Sequence, residues 1–202
     1  MRKRIFASSA IGVMLIGAAM SLPAQATAGA SGVAPAVAFK PYSKPVAAYK
    51  HNTCVIDLSG IVDGATLDSI HKCGVTVTFS VTMTKATVPN GGWSNWGHPK
   101  DTESSTPYVL FFSSGHRISL TFSKAVRRAG LEMEGDPYAT ASFSADFMHG
   151  TSPVGTVTRD VTTPDGARLF AGDSGAPKAN WITSIILSDN NGGNFGIAQI
   201  RV

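Results

Sequence analysis

Residues 75–84 read Val-Thr-Val-Thr-Phe-Ser-Val-Thr-Met-Thr. Apolar side chains occupy every odd position and hydroxyl-bearing side chains every even position, which is the period of a β-strand with one buried face. Most of these residues are β-branched, and β-branched residues are favoured in strands. The stretch therefore predicts a long strand whose odd-numbered side chains enter a hydrophobic core.

The same signal recurs through the rest of the chain. Residues 117–123 repeat the alternation, and Gly-, Pro-, Asn- and Asp-rich breaks, typical of turns, stand at residues 89–92, 135–137, 163–166 and 190–193. Further strand-like runs occupy residues 54–58, 108–112, 126–134, 138–148, 154–161, 167–170, 181–187 and 195–202. The sequence thus predicts an all-β fold over residues 51–202, a jelly-roll-like β-sandwich of about ten antiparallel strands.

The last run, residues 195–202, is predicted to be a central strand, because it consists of β-formers up to its final residue. We expect it to lie beside residues 54–58, and the Asn-Gly-Gly turn at 191–193 is expected to fold it back on residues 181–187. Strict alternation puts two sets of side chains on opposite faces: Phe195, Ile197, Gln199 and Arg201 on one, and Gly196, Ala198, Ile200 and Val202 on the other.

The N-terminal 28 residues have the pattern of a bacterial signal peptide. Arg2, Lys3 and Arg4 precede an uncharged run over residues 5–22, and a small-x-small cleavage pattern follows at 24–26 or 26–28. No later run reaches the length of a membrane span. We therefore predict a signal peptide at residues 1–28, no membrane span and a secreted, extracellular protein.

Residues 29–50 are rich in Ala, Pro and Lys and contain no acidic residue. Pro35, Pro41 and Pro45 favour an extended, flexible linker. Its lysines would be available to an anionic cell envelope, but a merely solvated tail is the favoured interpretation.

The basic composition does not indicate nucleic-acid binding. Lys and Arg total 17, three of them in the leader, against 13 acidic residues. Without the leader the net charge is only about +1, whereas nucleic-acid-binding domains carry a clear basic excess.

Two cysteines, Cys54 and Cys73, both lie in the exported part. An even count in an oxidising compartment favours a disulfide bond, with two separate buried thiols as the alternative. Their spacing does not fit a metal site.

The strand patterns together resemble a group of exported bacterial β-sandwich proteins whose domains often precede a PEP-CTERM sorting signal. The resemblance implies the sandwich fold and export, and assigns no functional residues; because no sorting motif follows residue 201, it favours free secretion. The pieces that carry it are VIDLSGIVDG at 55–64, GVTVTFS at 74–80, LTFSKAV at 120–126 with GLEME at 130–134, VGTVTR at 154–159 with GARLF at 166–170, and NFGIAQIR at 194–201.

The loop over residues 90–106 and its flanks contain the candidate ligand-binding residues. Trp93, Trp96 and Tyr108 would stack on sugar rings, and Asn95 would bond to hydroxyls. The alternative is that both tryptophans fold back and cap an open end of the sandwich.

Residues 172–175, Gly-Asp-Ser-Gly, resemble the segment around the nucleophile of chymotrypsin-like serine proteases. This resemblance implies Ser174 as nucleophile, His51 or His71 as base and Asp101 as the second carboxylate. A polar turn between two strands is the alternative.

Carboxylates suggest two further sites. Asp57, Asp63 and Asp189 are candidate ligands for calcium, the one cofactor for which the sequence offers a donor set, although Asx residues in turns often bond to their own backbone. Glu132 and Glu134 lie on the same face of one strand. They are candidates for acid–base catalysis on a glycoside, and the alternative is that they are solvent-exposed and only increase solubility.

The function predicted from the sequence is a secreted, non-catalytic β-sandwich that binds an extracellular ligand, with a glycan or cell-envelope polymer favoured. A serine hydrolase using Ser174 and a structural surface protein without a ligand are the alternatives.

Overall fold

The computed structural model describes residues 38–99, 101–136, 139–162, 166–175 and 177–202. The predicted signal peptide and residues 29–37 of the predicted linker lie outside these ranges. The described residues contain one short α-helix, α1 (Ala47–His51), a 3-10 turn at Lys178–Asn180, and eleven strands: β1 Lys40–Tyr42, β2 Thr66–Lys72, β3 Val75–Thr87, β4 Tyr108–Phe111, β5 Arg117–Val126, β6 Arg128–Gly135, β7 Thr140–His149, β8 Ser152–Thr162, β9 Arg168–Asp173, β10 Ile182–Asp189 and β11 Phe195–Arg201.

The strands form two facing sheets that share β3. One sheet has the order β1-β9-β6-β11-β4 and continues into the second half of β3; the other starts at the first half of β3 and continues β5-β10-β7-β8. The strand β2 pairs with the other edge of β3, and all pairings are antiparallel. Phe143 of one sheet stacks edge-on against Phe195 of the other, with ring centroids 5.7 Å apart. The predicted all-β sandwich is confirmed.

The hydrophobic core lies between the sheets and follows the predicted alternation in β3. The side chains of Val75, Val77, Phe79 and Met83 are buried there, together with the inward residues of β5, β7 and β11. Burying side chains of this size stabilises the fold by about 1.5–3 kcal/mol each.

The C-terminal strand β11 is central, as predicted, because it pairs with β6 on one side and with β4 on the other. The extended residues 54–56 also run beside its end, where the Cys54 N–H donates to the Val202 carbonyl at 2.8 Å and the Ile56 N–H to the Ile200 carbonyl at 2.7 Å. Two details of the prediction are wrong. Residues 54–58 make a single bridge rather than a full strand, and β10 pairs with β5 and β7 in the opposite sheet, so the 191–193 turn crosses between sheets.

A β-bulge in β11 overturns the predicted alternation of its side chains. The register with β6 shifts by one residue between Ala198 and Arg201, and Gln199 has φ +50°. An extra residue of this kind reverses which face the following side chains occupy. Ile200 therefore enters the core, and Arg201 lies on the outer side of the sheet.

The disulfide bond between Cys54 and Cys73 is confirmed, with the two Cα atoms 5.9 Å apart. It ties the extended segment beside β11 to the turn between β2 and β3, and so connects the first residues of the predicted domain to the shared strand.

Residues 38–50 are part of the fold rather than the flexible linker predicted for residues 29–50. The strand β1 pairs with β9 at the edge of the first sheet, and Tyr49 of α1 is fully buried against Leu169 and Ala171. The prediction failed here because three aromatic residues at irregular spacing (Phe39, Tyr42 and Tyr49) supply the packing, while the frequent prolines and lysines dominate the composition.

Within the part of the chain that the structure describes, no helix is long and apolar enough to cross a membrane.

Candidate functional site

The described residues of the long connection between β3 and β4, 88–99 and 101–107, cover the outer face of the first sheet. Trp93 and Trp96, at 7% and 5% exposure, pack there against Ala86, Val109 and Ala198 in a second hydrophobic cluster. Gly196 lets Trp93 approach the sheet, since a Cβ at that position would lie 3.1 Å from the indole ring. The tryptophans are therefore part of the packing, and their faces are closed to a stacking ligand.

Each indole N–H is bonded to a buried glutamate of β6. Trp93 Nε1 donates to Glu134 Oε2 at 2.6 Å, and Trp96 Nε1 donates to Glu132 Oε2 at 2.8 Å. The backbone N–H of Glu103 donates to the other oxygen of Glu132 at 2.5 Å. Both glutamates are fully buried, so the expectation of a solvated, solubilising face was wrong.

Burial raises the pKa of Glu132 and of Glu134 to about 7, although the indole hydrogen bonds act in the opposite direction. A carboxyl group removed from water favours its neutral form unless a charge or hydrogen bonds compensate. Since both carboxyls are enclosed by the tryptophan loop, this pair holds the loop to the sheet and does not face a substrate.

A charged pair extends this buried polar cluster. Arg201, turned outward by the bulge, binds both oxygens of Glu103 at 2.7 Å and donates to the Lys50 carbonyl at 3.2 Å. Burial alone would lower the pKa of Arg201, but the hydrogen bond to Glu103 raises it above its ordinary value. The Tyr49 hydroxyl is buried nearby without a hydrogen-bond partner in the described residues, and burial, reinforced by Glu103, raises the pKa of Tyr49 well above its ordinary value.

These contacts predict that Trp96→Ala destabilises the protein. Removing a buried tryptophan leaves a cavity and an unpaired Glu132 oxygen, and we expect a loss of about 3 kcal/mol or more in the free energy of unfolding. Urea denaturation followed by circular dichroism measures it. A midpoint equal to that of the parent would show that the loop is not part of the folded core.

A small groove remains beside the tryptophan loop. It has a volume of about 260 Å³ and includes Trp93, Asn95 and Asp136 in its wall. Asn95 Nδ2 also donates to Glu134 Oε1 at 3.4 Å. Two predicted ligand-binding residues, Trp93 and Asn95, thus share one groove, but only 7% of Trp93 is exposed.

Tyr108, the third predicted aromatic, lies in a separate groove, here named the Tyr108 groove. The groove measures about 200 Å³ and is formed by Tyr108, Gln199 and residues 55–58, which include Asp57. Tyr108 is 38% exposed, the most exposed aromatic side chain among the described residues. The structure therefore separates Tyr108 from Trp93 and Trp96 instead of joining them in one platform.

The Tyr108 ring is fixed from below by a buried cation. Lys85 Nζ lies 4.5 Å from the ring centroid and is held by Asp63 Oδ1 at 2.6 Å and Thr87 Oγ1 at 2.7 Å. The hydrogen bond from Lys85 lowers the pKa of Asp63, so the Asp63 carboxylate is ionised in neutral solution. A cation against one aromatic face holds the ring in place, and Tyr108 is also part of the groove wall.

The groove also offers polar groups. The side-chain amide of Gln199 makes no hydrogen bond within the described residues, and its backbone has the left-handed φ of +50° noted above. Asp57 accepts from the N–H and hydroxyl of Ser59 at 2.9 Å each, and these bonds lower the pKa of Asp57. Strained backbone positions of this kind cluster at functional sites.

The predicted serine-hydrolase residues do not form a catalytic arrangement. Ser174 is 1% exposed, and its hydroxyl donates to the Arg127 carbonyl at 3.0 Å. The backbone N–H of Ser174, which an oxyanion hole would need, also donates to the Arg127 carbonyl at 3.0 Å. The segment is a closed polar turn, which is the alternative drawn from the sequence.

The proposed partners of Ser174 lie on other elements. His51 ends α1 and is exposed, and the backbone N–H of Asp101 donates to the His98 carbonyl at 2.8 Å. His71 is exposed on β2, where its Nδ1 pairs with Thr76 Oγ1 at 2.9 Å. None of these groups is hydrogen-bonded to Ser174 among the described residues.

The candidate calcium ligands are not brought together either. Asp57 binds its own turn as described, Asp63 pairs with Lys85, and Asp189 accepts two N–H groups of the 189–193 turn at 2.7 and 2.9 Å. Among the residues that the structure covers, no group of three or more His, Cys, Asp or Glu side chains is arranged to hold a metal ion.

Comparison with known proteins gives no family assignment. No family model matches the sequence, and no curated protein matches it. Two solved structures share part of its shape. One is TmCBM61 in complex with beta-1,4-galactotriose, with TM-score 0.36, 10% identity, and coverage of 63% of this chain and 86% of that one. The other is the enzymatically active domain of bacteriophage CBA120 tailspike protein 4, with TM-score 0.33, 16% identity, and coverage of 63% and 19%.

Proposed function

We propose that this protein is exported and binds a glycan or another polyhydroxylated cell-envelope polymer through the Tyr108 groove, without transforming it. The observation that carries the proposal is the exposed ring of Tyr108, fixed on Lys85 and bordered by the unpaired amide of Gln199. Export is supported by the leader pattern of residues 1–28 and agrees with the disulfide bond.

The chemistry of the groove suits a sugar ring. The C–H face of a pyranose stacks on an aromatic face, and its hydroxyls are donors and acceptors that pair with an amide and a carboxylate. Because Lys85 holds the Tyr108 ring in advance, little side-chain entropy is lost when a ligand stacks on it. With a volume of about 200 Å³, the groove accommodates a single sugar unit of a longer chain.

The test is a pull-down panel of insoluble polysaccharides with the parent protein and two variants of Tyr108. We expect Tyr108→Ala to weaken retention about tenfold, because an aromatic contact of this kind contributes about 1–1.5 kcal/mol beyond its area burial. Tyr108→Phe keeps the stacking face and should retain most of the binding.

Melting temperatures of both variants serve as the control for folding, since Tyr108 is the exposed member of β4. Equal retention of the parent and Tyr108→Ala, or retention of the parent on none of the polysaccharides, would contradict the proposal.

A further inference from the structure

A larger cavity lies at the opposite edge of the sandwich, outside the Tyr108 groove. It measures about 400 Å³, and its wall includes Phe39, Val154, His149, Ser174 and Asn180. We name it the Phe39 cavity. Its volume is within the range of ligand pockets, and neither the tryptophan loop nor Tyr108 contributes to it.

Its apolar wall is rigid because Phe39 is wedged into the fold. A Cβ at either Gly155 of β8 or Gly172 of β9 would overlap the Phe39 ring, so these two glycines create the space in which the ring lies. Phe39 also stacks on Phe147 of β7, with centroids 5.0 Å apart. The aromatic surface beside the cavity is therefore held from both sheets.

The polar wall of the Phe39 cavity contains two hydrogen-bond acceptors, on His149 and Ser174, and one amide without a hydrogen bond, on Asn180. His149 Nδ1 lies 2.6 Å from the Trp181 carbonyl; because a carbonyl only accepts, Nδ1 carries the proton and the Nε2 of the neutral ring is an acceptor. The Ser174 hydroxyl gives its proton to the Arg127 carbonyl, so its oxygen also accepts. The Asn180 amide makes no hydrogen bond within the described residues and can donate.

We propose that the Phe39 cavity binds the acetamido group of a 2-acetamido sugar. The methyl group fits the apolar wall formed by Phe39 and Val154, the amide N–H donates to His149 or Ser174, and the amide carbonyl accepts from Asn180. This assignment rests on the proposed glycan-binding function and names the class of sugar unit that the protein distinguishes.

Two observations favour a neutral sugar over other amide-bearing ligands. The residues that line the cavity in the described part of the chain include no Asp, Glu, Lys or Arg, so a charged ligand would find no partner. A peptide would bind most readily by adding a strand to an exposed edge, but Pro153 of β8 lies at the cavity and has no N–H to pair with it.

The experiment is calorimetric titration of the purified protein with two β-1,4-linked tetramers, one of N-acetylglucosamine and one of glucose. The two ligands differ only in the group at C2. We expect the acetamido tetramer to bind about tenfold tighter or better, the discrimination typical of one small group filling an apolar pocket.

Asn180→Ala should reduce this preference to near unity, since it removes the donor to the acetamido carbonyl. Asn190→Ala, a surface asparagine in the β10–β11 turn, is the matched control and should keep the preference. Equal binding of the two tetramers, no binding of the acetamido tetramer, or an unchanged preference in Asn180→Ala would overturn the assignment. Binding of an N-acetylated dipeptide in place of the acetamido tetramer would also overturn it.

The same titrations distinguish failure of the acetamido assignment from failure of the Tyr108 groove as a glycan site. If Tyr108→Ala weakens both tetramers equally while the two bind the parent with equal affinity, only the acetamido assignment fails. In the opposite case, Tyr108→Ala changes the affinity for neither tetramer and keeps the preference for the acetamido tetramer, whereas Asn180→Ala abolishes that preference. The proposal for the Tyr108 groove then fails, and the Phe39 cavity is the binding site.

Discussion

Removing residues 195–202 is expected to leave a chain that does not fold. The deletion takes away a central strand whose Phe195, Ile197, Ala198 and Ile200 are all buried, together with its pairing to β4, to β6 and to residues 54–56. Burial of the three large side chains alone contributes about 1.5–3 kcal/mol each. With the strand pairings added, the loss is comparable to the whole stability of a domain, about 5–15 kcal/mol.

Circular dichroism and a thermal melt of the truncated protein measure this effect. Gln199→Gly is a useful control in the same strand, because it keeps the buried side chains and relieves the left-handed backbone of Gln199; it should be neutral or stabilise the protein by up to about 1 kcal/mol. A truncated protein that melts cooperatively near the parent temperature would show that β11 is peripheral.

The second large effect is an unusual dependence of stability on pH. Glu132 and Glu134 have pKa values raised from 4.5 to about 7 by burial, so the folded state binds more protons than the unfolded state between these values. Stability from the pair is fully present below pH 4.5 and is lost as the pH rises through 7. Each rise corresponds to roughly 3 kcal/mol for a fully buried carboxyl.

We therefore expect the melting temperature at pH 8 to be lower than at pH 5 by on the order of 10 °C. Asp57 and Asp63 do not interfere, because their pKa values are lowered from 3.8 and their contribution is lost only in more acid solution. Differential scanning calorimetry at a series of pH values provides the measurement.

Glu134→Gln isolates the effect, since the glutamine carbonyl still accepts from Trp93 Nε1. This variant should reduce the pH dependence by about half and be more stable than the parent at pH 8. Glu132 is less suitable, because both of its oxygens accept short hydrogen bonds, at 2.8 and 2.5 Å, whereas the second oxygen of Glu134 accepts a long 3.4 Å contact from Asn95. A parent protein equally stable at pH 5 and pH 8 would contradict the buried neutral state.

The sequence predicts the elements of the sandwich well, because period-two alternation is a direct consequence of one buried face. The alternation correctly predicts β3, and the run of β-formers correctly predicts the central place of β11. The alternation fails after Ala198, since a single bulge reverses the faces and nothing in the local pattern marks it. It also fails for residues 38–50, where isolated aromatic side chains decide the packing.

The candidate site was predicted only in part, because alternation tells which residues share a face but not what covers that face. Glu132 and Glu134 look solvent-facing in the sequence, yet the tryptophan loop encloses them. Two tryptophans in a polar loop need acceptors for their indole N–H groups when buried, and the paired glutamates are the signal that could have identified those acceptors. Tyr108 is exposed and stays a candidate ligand-binding residue, but Lys85 and Gln199 come close to it only through the fold.

The most direct test of the account is an NMR titration of the ¹⁵N-labelled protein with a glycan that the pull-down panel retains. The account predicts shifts for the amides of Tyr108, Gln199 and residues 55–58, with the indole N–H signals of Trp93 and Trp96 unchanged, because those indoles are bonded to buried glutamates. Shifts confined to the two indoles and their loop, with Tyr108 and Gln199 unaffected, would contradict it.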